Sequence, residues 1–446
     1  MNNHPKINVG ILAREEINFS LSIDFIAVNN STFPKGDYAA TVVQNNIQVK
    51  NKSGDVFSED SFLFSPANSN SYFELKDVTI GVDFHWEQKE NQQFTGALKL
   101  IIERGKVCAI NVVNLEDYLK SVVSSEMSAT SSPEFLKAHA VISRSWLLAQ
   151  IEKSKSLKDV ETSYLTSNET EEEIIRWYDR EDHDNFDVCA DDHCQRYQGI
   201  TKIHSKKALQ AIEETFGEVL FSNNKICDAR FSKCCGGIAE SFENVWEPVL
   251  HPYLTKVIDN IELPSGFNPD LKNEKNASSW IRKSPEAFCN TSDQQILLQV
   301  LPDFDQSTTD FYRWKVEYSQ SELSALIKKK SGIDFGEIVK LEPLERGHSG
   351  RLIKLKIIGT KRSLTVGKEL EIRKWLSESH LYSSAFVIDH LVDENNIPQK
   401  FVLTGAGWGH GVGLCQIGAA VMGEKGYSYK EILNHYFTGA KLKKLY

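Results

Sequence analysis

The sequence predicts an α+β protein, with a β-rich N-terminal unit ahead of a mixed helix and strand region. Three observations carry this expectation. The first hundred or so residues hold short apolar runs divided by Asn, Ser, Gly and Pro clusters, the pattern of strands and turns. At Leu115 the apolar spacing lengthens from two residues to three or four. Beyond residue 350, strand-like runs lead into a glycine-rich segment close to the C-terminus.

Taken in order, Ile7 to Leu12, Tyr38 to Val43 and Ile47 to Val49 read as strands. Phe94 to Ile102 and Lys106 to Val113 read as a strand pair turning at Glu103 to Gly105, where glycine admits the turn. Leu115, Tyr118, Leu119 and Val122 then fall on one face of a helix. Ser131, Ser132 and Pro133 break the chain, and Ser131 with Glu134 has capping-box spacing. Phe135 to Ile151 is apolar almost all round, as a buried helix would be. Leu157 to Asp192 is acidic and loop-rich with one short helix, its Glu171 to Glu173 run reading as a solvated face. Lys206 to Phe216 suits a helix ended by Gly217, and Glu218 to Phe231 suits paired strands. Ser265 to Ser279 resembles a linker or surface excursion. Ser321 to Lys330 and Lys430 to Phe437 read as helices, and Leu352 to Ile358 and Ser363 to Val366 as strands. The expected divisions are 1–93, 94–264, 265–345 (an insertion or linker-containing segment) and 346–446.

Composition narrows the function classes. The 446 residues are 41% hydrophobic and 25% charged, ordinary globular values that exclude collagen-like or disordered chains. A net charge of −10 argues against a general nucleic-acid or anionic-membrane binder. No run reaches the roughly 20 apolar residues of a spanning helix. Met1 to Val9 has no apolar signal core, so the written sequence shows no recognisable export signal; either the protein is cytoplasmic or a leader has been removed, and composition does not decide between these. Eight cysteines are too few for a disulfide framework.

Four features could carry chemistry. Glu126 continues the apolar stripe of the helix that starts at Leu115. Among apolar neighbours its carboxyl would stay protonated and could donate a proton; if the helix frays first, it is a solvated side chain. Arg144 is the one charged residue between Ala138 and Ile151, and a buried guanidinium needs acceptors. It is either a structural ion pair or an active-site contact. His183, Cys189, His193 and Cys194 make a Cys2His2 set suited to tetrahedral Zn²⁺, and four protein ligands would make that zinc structural. A Cys189–Cys194 disulfide or two free thiols is the alternative. Finally, Gly405 to Gly413 holds five glycines in nine residues, letting the backbone approach a ligand closely. Within it Trp408 offers a stacking face and His410 a proton donor or acceptor. It matches neither the Rossmann pattern nor a P-loop.

Together these pieces resemble the SpoIID/LytB family of bacterial cell-wall proteins, from about Phe94 to the C-terminus. The resemblance rests on Ile110-Asn111-Val112-Val113, Leu115-Glu116-Asp117-Tyr118-Leu119, Val122 to Met127 and Leu136 to Arg144. It continues through Phe231-Ser232 with Gly236-Gly237, Ser349-Gly350-Arg351, Gly407 to Ala419, Tyr429 to Leu433 and His435 to Gly439. His139 stands where glutamine is common in the family, Ser128 where proline often follows the Glu-Met pair, and Cys415 where serine is common.

Membership would imply a SpoIID-like mixed α/β catalytic region and a lytic transglycosylase that cuts peptidoglycan glycan strands stripped of stem peptides. The family's catalytic acid maps onto Glu126 and its basic helper onto Arg144. Trp408, His410, Gln416 and Ser232 are the candidate groove residues. Some members bind zinc in a loop like His183 to Cys194; no cofactor is needed for the cleavage itself. The resemblance places the protein in the cell envelope or periplasm, with a cell-wall amidase as its natural partner. The chemistry opposes a tight bidentate Arg144–Glu126 pair, which would lower the acid's pKa. Two other readings compete: a non-catalytic glycan-binding amidase enhancer, and a zinc hydrolase at the His183 to Cys194 cluster.

Overall fold

The computed structural model describes residues 5–27, 31–68, 70–81, 87–128, 130–158, 166–177, 183–191, 194–203, 205–300, 310–394 and 397–446. It is an α+β fold. The N-terminal region forms two sheets. In the first, Lys6–Arg14 lies between Lys106–Asn114 and Val188–Cys189, and the sheet continues through Ala97–Glu103, Phe62–Pro66, Phe25–Ile26 and Thr32–Phe33. In the second, Gln88–Thr95, Tyr72–Ile80, Glu16–Leu21, Gly36–Val43, Asn46–Asn51 and Val56–Glu59 lie side by side. Alternating residues turn inward, and Phe19, Phe33, Phe57 and Phe64 join the sheets. Their ring centroids are 5.5 Å (Phe19–Phe64), 4.6 Å (Phe33–Phe57) and 4.9 Å (Phe33–Phe64) apart. Because Lys6–Arg14 pairs with Lys106–Asn114, the sheet runs across the expected division at 93/94.

Several sequence expectations change here. Phe94 to Ile102 is two strands, broken at Gly96, whose φ is +85° and whose added Cβ would meet the Val112 carbonyl oxygen at 2.4 Å. Ser132 rather than Ser131 accepts a hydrogen bond at the start of the long helix, from Phe135 N at 3.4 Å, while Ser131 Oγ donates to the Gln299 carbonyl. Within the acidic stretch, the described residues 166–177 hold two strands, and the rest of the segment where a short helix was expected lies largely outside the described residues. Ser167–Glu169 and Glu173–Arg176 extend a sheet with Ser363–Gly367, Leu352–Gly359 and Ile338–Arg346. The expected linker contains a helix, Glu274–Lys283, which buries Ala277, Trp280 and Ile281 beneath a polar outer face.

Two helices position the candidate site. The first, α1 (Leu115–Glu126), springs directly from the strand Lys106–Asn114. It buries Leu115, Tyr118, Leu119, Val122 and Val123, with Glu116 and Asp117 in its first turn, where the helix dipole favours acids. The second, α2 (Pro133–Lys158), is buried from Phe135 through Leu147 apart from Lys137. The last strand, Lys441–Lys444, pairs with Glu218–Ser222 and ties the C-terminus to the same body. Among the described residues no helix is long and apolar enough to cross a membrane.

Candidate functional site

Glu126 is the last residue of α1, and Met127 leaves the helix in extended conformation. The helix therefore does not fray before the carboxylate, which is half-buried. Its Oε1 accepts a hydrogen bond from the backbone N–H of Arg196 at 3.1 Å. No other described group hydrogen-bonds the carboxylate, so one oxygen is held and one is free for a ligand. On the same turn, Ser124 Oγ and Ser125 Oγ are buried without a partner among the described residues.

The segment supplying that amide is clamped along α1. Tyr118 Oη donates to Gln195 Oε1 at 3.3 Å, its ring stacks on Tyr197 at 5.0 Å, and Gln198 N donates to Ser121 Oγ at 3.1 Å. The clamp begins at the His/Cys loop. Ligand atoms of His183, Cys189 and Cys194 lie within 4.8 Å of one another, with Cys194 Sγ 3.5 Å from His183 Nε2. Cys189 N also donates to Cys194 Sγ at 3.4 Å. Two sulfurs and an imidazole nitrogen converging on one point suit Zn²⁺. His193, the fourth expected ligand, lies outside the described residues.

Arg144 does not pair with Glu126. It is fully buried, and its Nε and Nη2 fork onto Glu116 Oε1 and Oε2 at 2.8 and 2.7 Å, while Nη1 donates to the Glu218 carbonyl at 3.0 Å. Tyr446 Oη adds a third donor to Glu116 at 2.6 Å. Glu116 sits in the first turn of α1 and Glu126 in the last, about 15 Å along the axis. Of the two alternatives left by the sequence, the geometry is the structural ion pair: Arg144 anchors the base of the helix whose tip carries Glu126.

The glycine-rich turn lies between the strands Pro398–Ala406 and Leu414–Cys415. Cys234 and Trp408 exchange backbone hydrogen bonds at 2.8 and 3.0 Å, and Leu414–Cys415 pairs in parallel with Phe231–Ser232. Half-buried Trp408 packs on Phe311 and Tyr382, centroids 4.6 and 4.5 Å away. His410 Nδ1 accepts from Val412 N at 3.0 Å, and the ring lies against Trp246. Burial and the nearby Arg230, Arg351 and Arg373 charges push its pKa well below the ordinary imidazole value, so it is neutral. Gln416 is buried and faces His139, Nε2 to Nε2, at 3.4 Å. Ser232 Oγ is buried without a partner among the described residues.

Two groups therefore form. Ser232, Trp408, His410 and Gln416 gather around the Phe231–Ser232/Leu414–Cys415 ladder. Glu126 belongs with Arg196 and the His/Cys loop, and no hydrogen bond among the described residues links it to Trp408 or His410. The sequence reading assigned no role to three buried groups that shape these sites. Glu116 holds Arg144. Arg351 donates to the Gly409 and Cys235 carbonyls at 3.0 and 3.1 Å, bracing the turn from behind. Glu240 accepts from Ser349 N and Oγ, at 2.9 and 2.6 Å, and from His348 N at 2.9 Å. The Ser349-Gly350-Arg351 motif was the available signal for this brace.

Fold and site define an α+β protein with a paired-helix, glycine-turn core. Residues 103–221 match the family model described as Stage II sporulation protein, and residues 240–413 match one described as Domain of unknown function (DUF8618). The chain is 26% identical over 350 residues to an uncharacterized protein of Brachyspira hyodysenteriae, covering 78% of this chain and 72% of that protein. It is 22% identical over 336 residues to Stage II sporulation protein D of Bacillus subtilis, covering 75% and 76%. The Amidase enhancer of Bacillus subtilis is 24% identical over 327 residues, covering 73% of this chain and 40% of that protein. The matched segment and the relatives named Stage II sporulation protein D and Amidase enhancer support a SpoIID/LytB family assignment.

Proposed function

We propose that this chain is a peptidoglycan lytic transglycosylase acting in the cell envelope on glycan strands that lack stem peptides. The family supports a cell-wall-related function. The observation that carries the finer reading is Glu126: a half-buried carboxylate at a helix tip, one oxygen fixed by the Arg196 amide and the other open.

That arrangement suits an acid that later serves as a base. Protonated Glu126 gives its proton to the glycosidic oxygen as the bond from C1 to that oxygen breaks. The carboxylate then takes the proton of the same sugar's 6-hydroxyl, whose oxygen bonds C1. A 1,6-anhydro ring closes, so neither an attacking water nor a second carboxylate is required. Arg144 is a positioning residue, acting through Glu116 and the helix axis. Half-buried Trp408, backed by Phe311 and Tyr382, would offer an apolar face to a sugar ring. His183, Cys189, Cys194 and His193 would hold a structural Zn²⁺, whose chemistry is to fix the loop. The loop's own residues then hold the Arg196 amide against the acid.

The test is digestion of purified glycan strands, with and without stem peptides, read by mass spectrometry. Cleavage of stripped strands to 1,6-anhydro ends supports the reading; folded protein that leaves them intact overturns it. A second reading is favoured by the relative named Amidase enhancer: the same surface holds glycan for a cell-wall amidase without cutting it. Stimulation of such an amidase by protein that leaves glycan bonds whole would establish it.

A further inference from the structure

We propose a second zinc site, unrelated to the His/Cys loop, formed by Cys235, Asp259, Cys289 and Cys415 behind the glycine-rich turn. These residues come from four segments that the fold brings to one point: the turn after Phe231–Ser232, the end of Val257–Ile258, the loop after the helix Glu274–Lys283, and the N-terminal cap of the helix Gln416–Glu424. All four are buried, with exposures of 2, 0, 1 and 0%. One ligand atom from each lies within 4.8 Å of the others, and Cys235 Sγ is 3.7 Å from Cys289 Sγ.

That spacing has a simple explanation. Two thiolates bound tetrahedrally at about 2.3 Å to one Zn²⁺ stand about 3.8 Å apart. A sulfur-rich set with one carboxylate selects zinc over hard cations such as Mg²⁺ or Ca²⁺. The surroundings already orient the donors, as the outer contacts of a metal site do. Cys235 N donates to Cys415 Sγ at 3.2 Å, Cys289 N to Asp259 Oδ2 at 2.8 Å, and Tyr436 Oη to Asp259 Oδ1 at 2.5 Å. Each carboxylate oxygen keeps a second lone pair for a metal. Cys234 stands beside Cys289 and Cys415 as a further thiol.

Thiols alone would be unremarkable as small buried hydrophobes. The carboxylate is the anomaly. Asp259 is wholly buried among sulfurs, its partners are neutral donors, and among the described residues no cationic side chain pairs with it. A dication would compensate that burial and displace the thiol protons. It would tie Cys235, the neighbour of Trp408's bridge partner Cys234, to Cys415 just beyond the turn, bracing the turn from both sides.

The test uses the full chain, purified reduced and without chelator, with zinc counted by plasma mass spectrometry. The folded double variant Cys189→Ala/Cys194→Ala should keep about one zinc per chain, and Co²⁺ replacing it should show the intense ligand-field and sulfur charge-transfer bands of a tetrahedral thiolate site. Cys289→Ser should lose one zinc relative to wild type. The proposal is overturned if the double variant carries no metal and takes up no Co²⁺, or if folded Cys289→Ser keeps the wild-type zinc content. A thiol count showing that these cysteines are joined as disulfides in the native chain would also overturn it.

Discussion

The backbone amide of Arg196 is hydrogen-bonded to Oε1 of Glu126 at 3.1 Å, only two residues beyond Cys194 of the His/Cys loop. The proposed acid is thus held from a segment whose own anchor is a cluster of metal-suited side chains. Removing that anchor should reach the chemistry without touching the acid.

Cys194→Ser, or His183→Ala, should lower zinc content and reduce glycan cleavage roughly ten- to hundredfold, as losses around metal sites commonly do. Glu126 itself stays in place on α1, so glycan binding should persist. Zinc content, binding and product formation measured on the same preparation check this. Zinc loss with unchanged cleavage would separate the loop from the acid.

Arg144→Met leaves Glu116 buried without its fork, a change that costs about 3–5 kcal/mol. Arg144→Lys keeps the charge but loses the planar two-bond geometry, so it should fall between. The double variant Glu116→Met/Arg144→Met removes both charges and should recover most of the stability. Urea unfolding of the four proteins decides this. A double variant no more stable than Arg144→Met would contradict the pairing.

His139 gives a pH signature. Burial, with the Lys233 charge adding to it, pushes its pKa from 6.5 down to about 3. The unfolded chain therefore takes up a proton below pH 6.5 that the folded protein refuses until about pH 3. The stability from neutral His139 is complete above pH 6.5 and drains away as pH falls, by about 2 kcal/mol at pH 5. His139→Gln should flatten this part of the stability–pH curve. An unchanged slope between pH 6.5 and 4 would show that other groups set it.

Gly411 has φ +75°, and an added Cβ would sit 2.3 Å from the Arg351 guanidinium carbon. Gly411→Ala should therefore cost more than the roughly 1–3 kcal/mol of backbone strain alone, because the brace under Gly409 must move. Gly439, at φ +83° with open space around it, is the control: Gly439→Ala should cost only the backbone part. Melting temperatures of the two variants compare them directly.

The sequence makes an element legible where an apolar face repeats over several turns, and it hides long-range pairings. The helix beginning at Leu115 was legible because its apolar face repeats over three turns, and it ends at the carboxylate singled out as anomalous. Arg144 was equally visible as a lone charge in an apolar helix. Its partner Glu116 lies 28 residues earlier and looks like an ordinary first-turn acid, so nothing local joins the two. The helix Glu274–Lys283 was hidden because its outer face is polar and only Ala277, Trp280 and Ile281 are buried. Cys235, Asp259, Cys289 and Cys415 are brought together only by the tertiary fold, and no spacing rule spans such distances. The ladder that joins Phe231–Ser232 to Leu414–Cys415 is of the same kind.

If Glu126 is the acid that cuts glycan, replacing it must abolish cleavage and leave binding. The most direct test compares wild type with Glu126→Gln on one preparation of peptide-free strands, scoring bound glycan and 1,6-anhydro products by mass spectrometry. Both proteins should bind the strands, and only wild type should release anhydro-ended fragments. Equal products from both, or none from folded wild type that binds the strands, would contradict it.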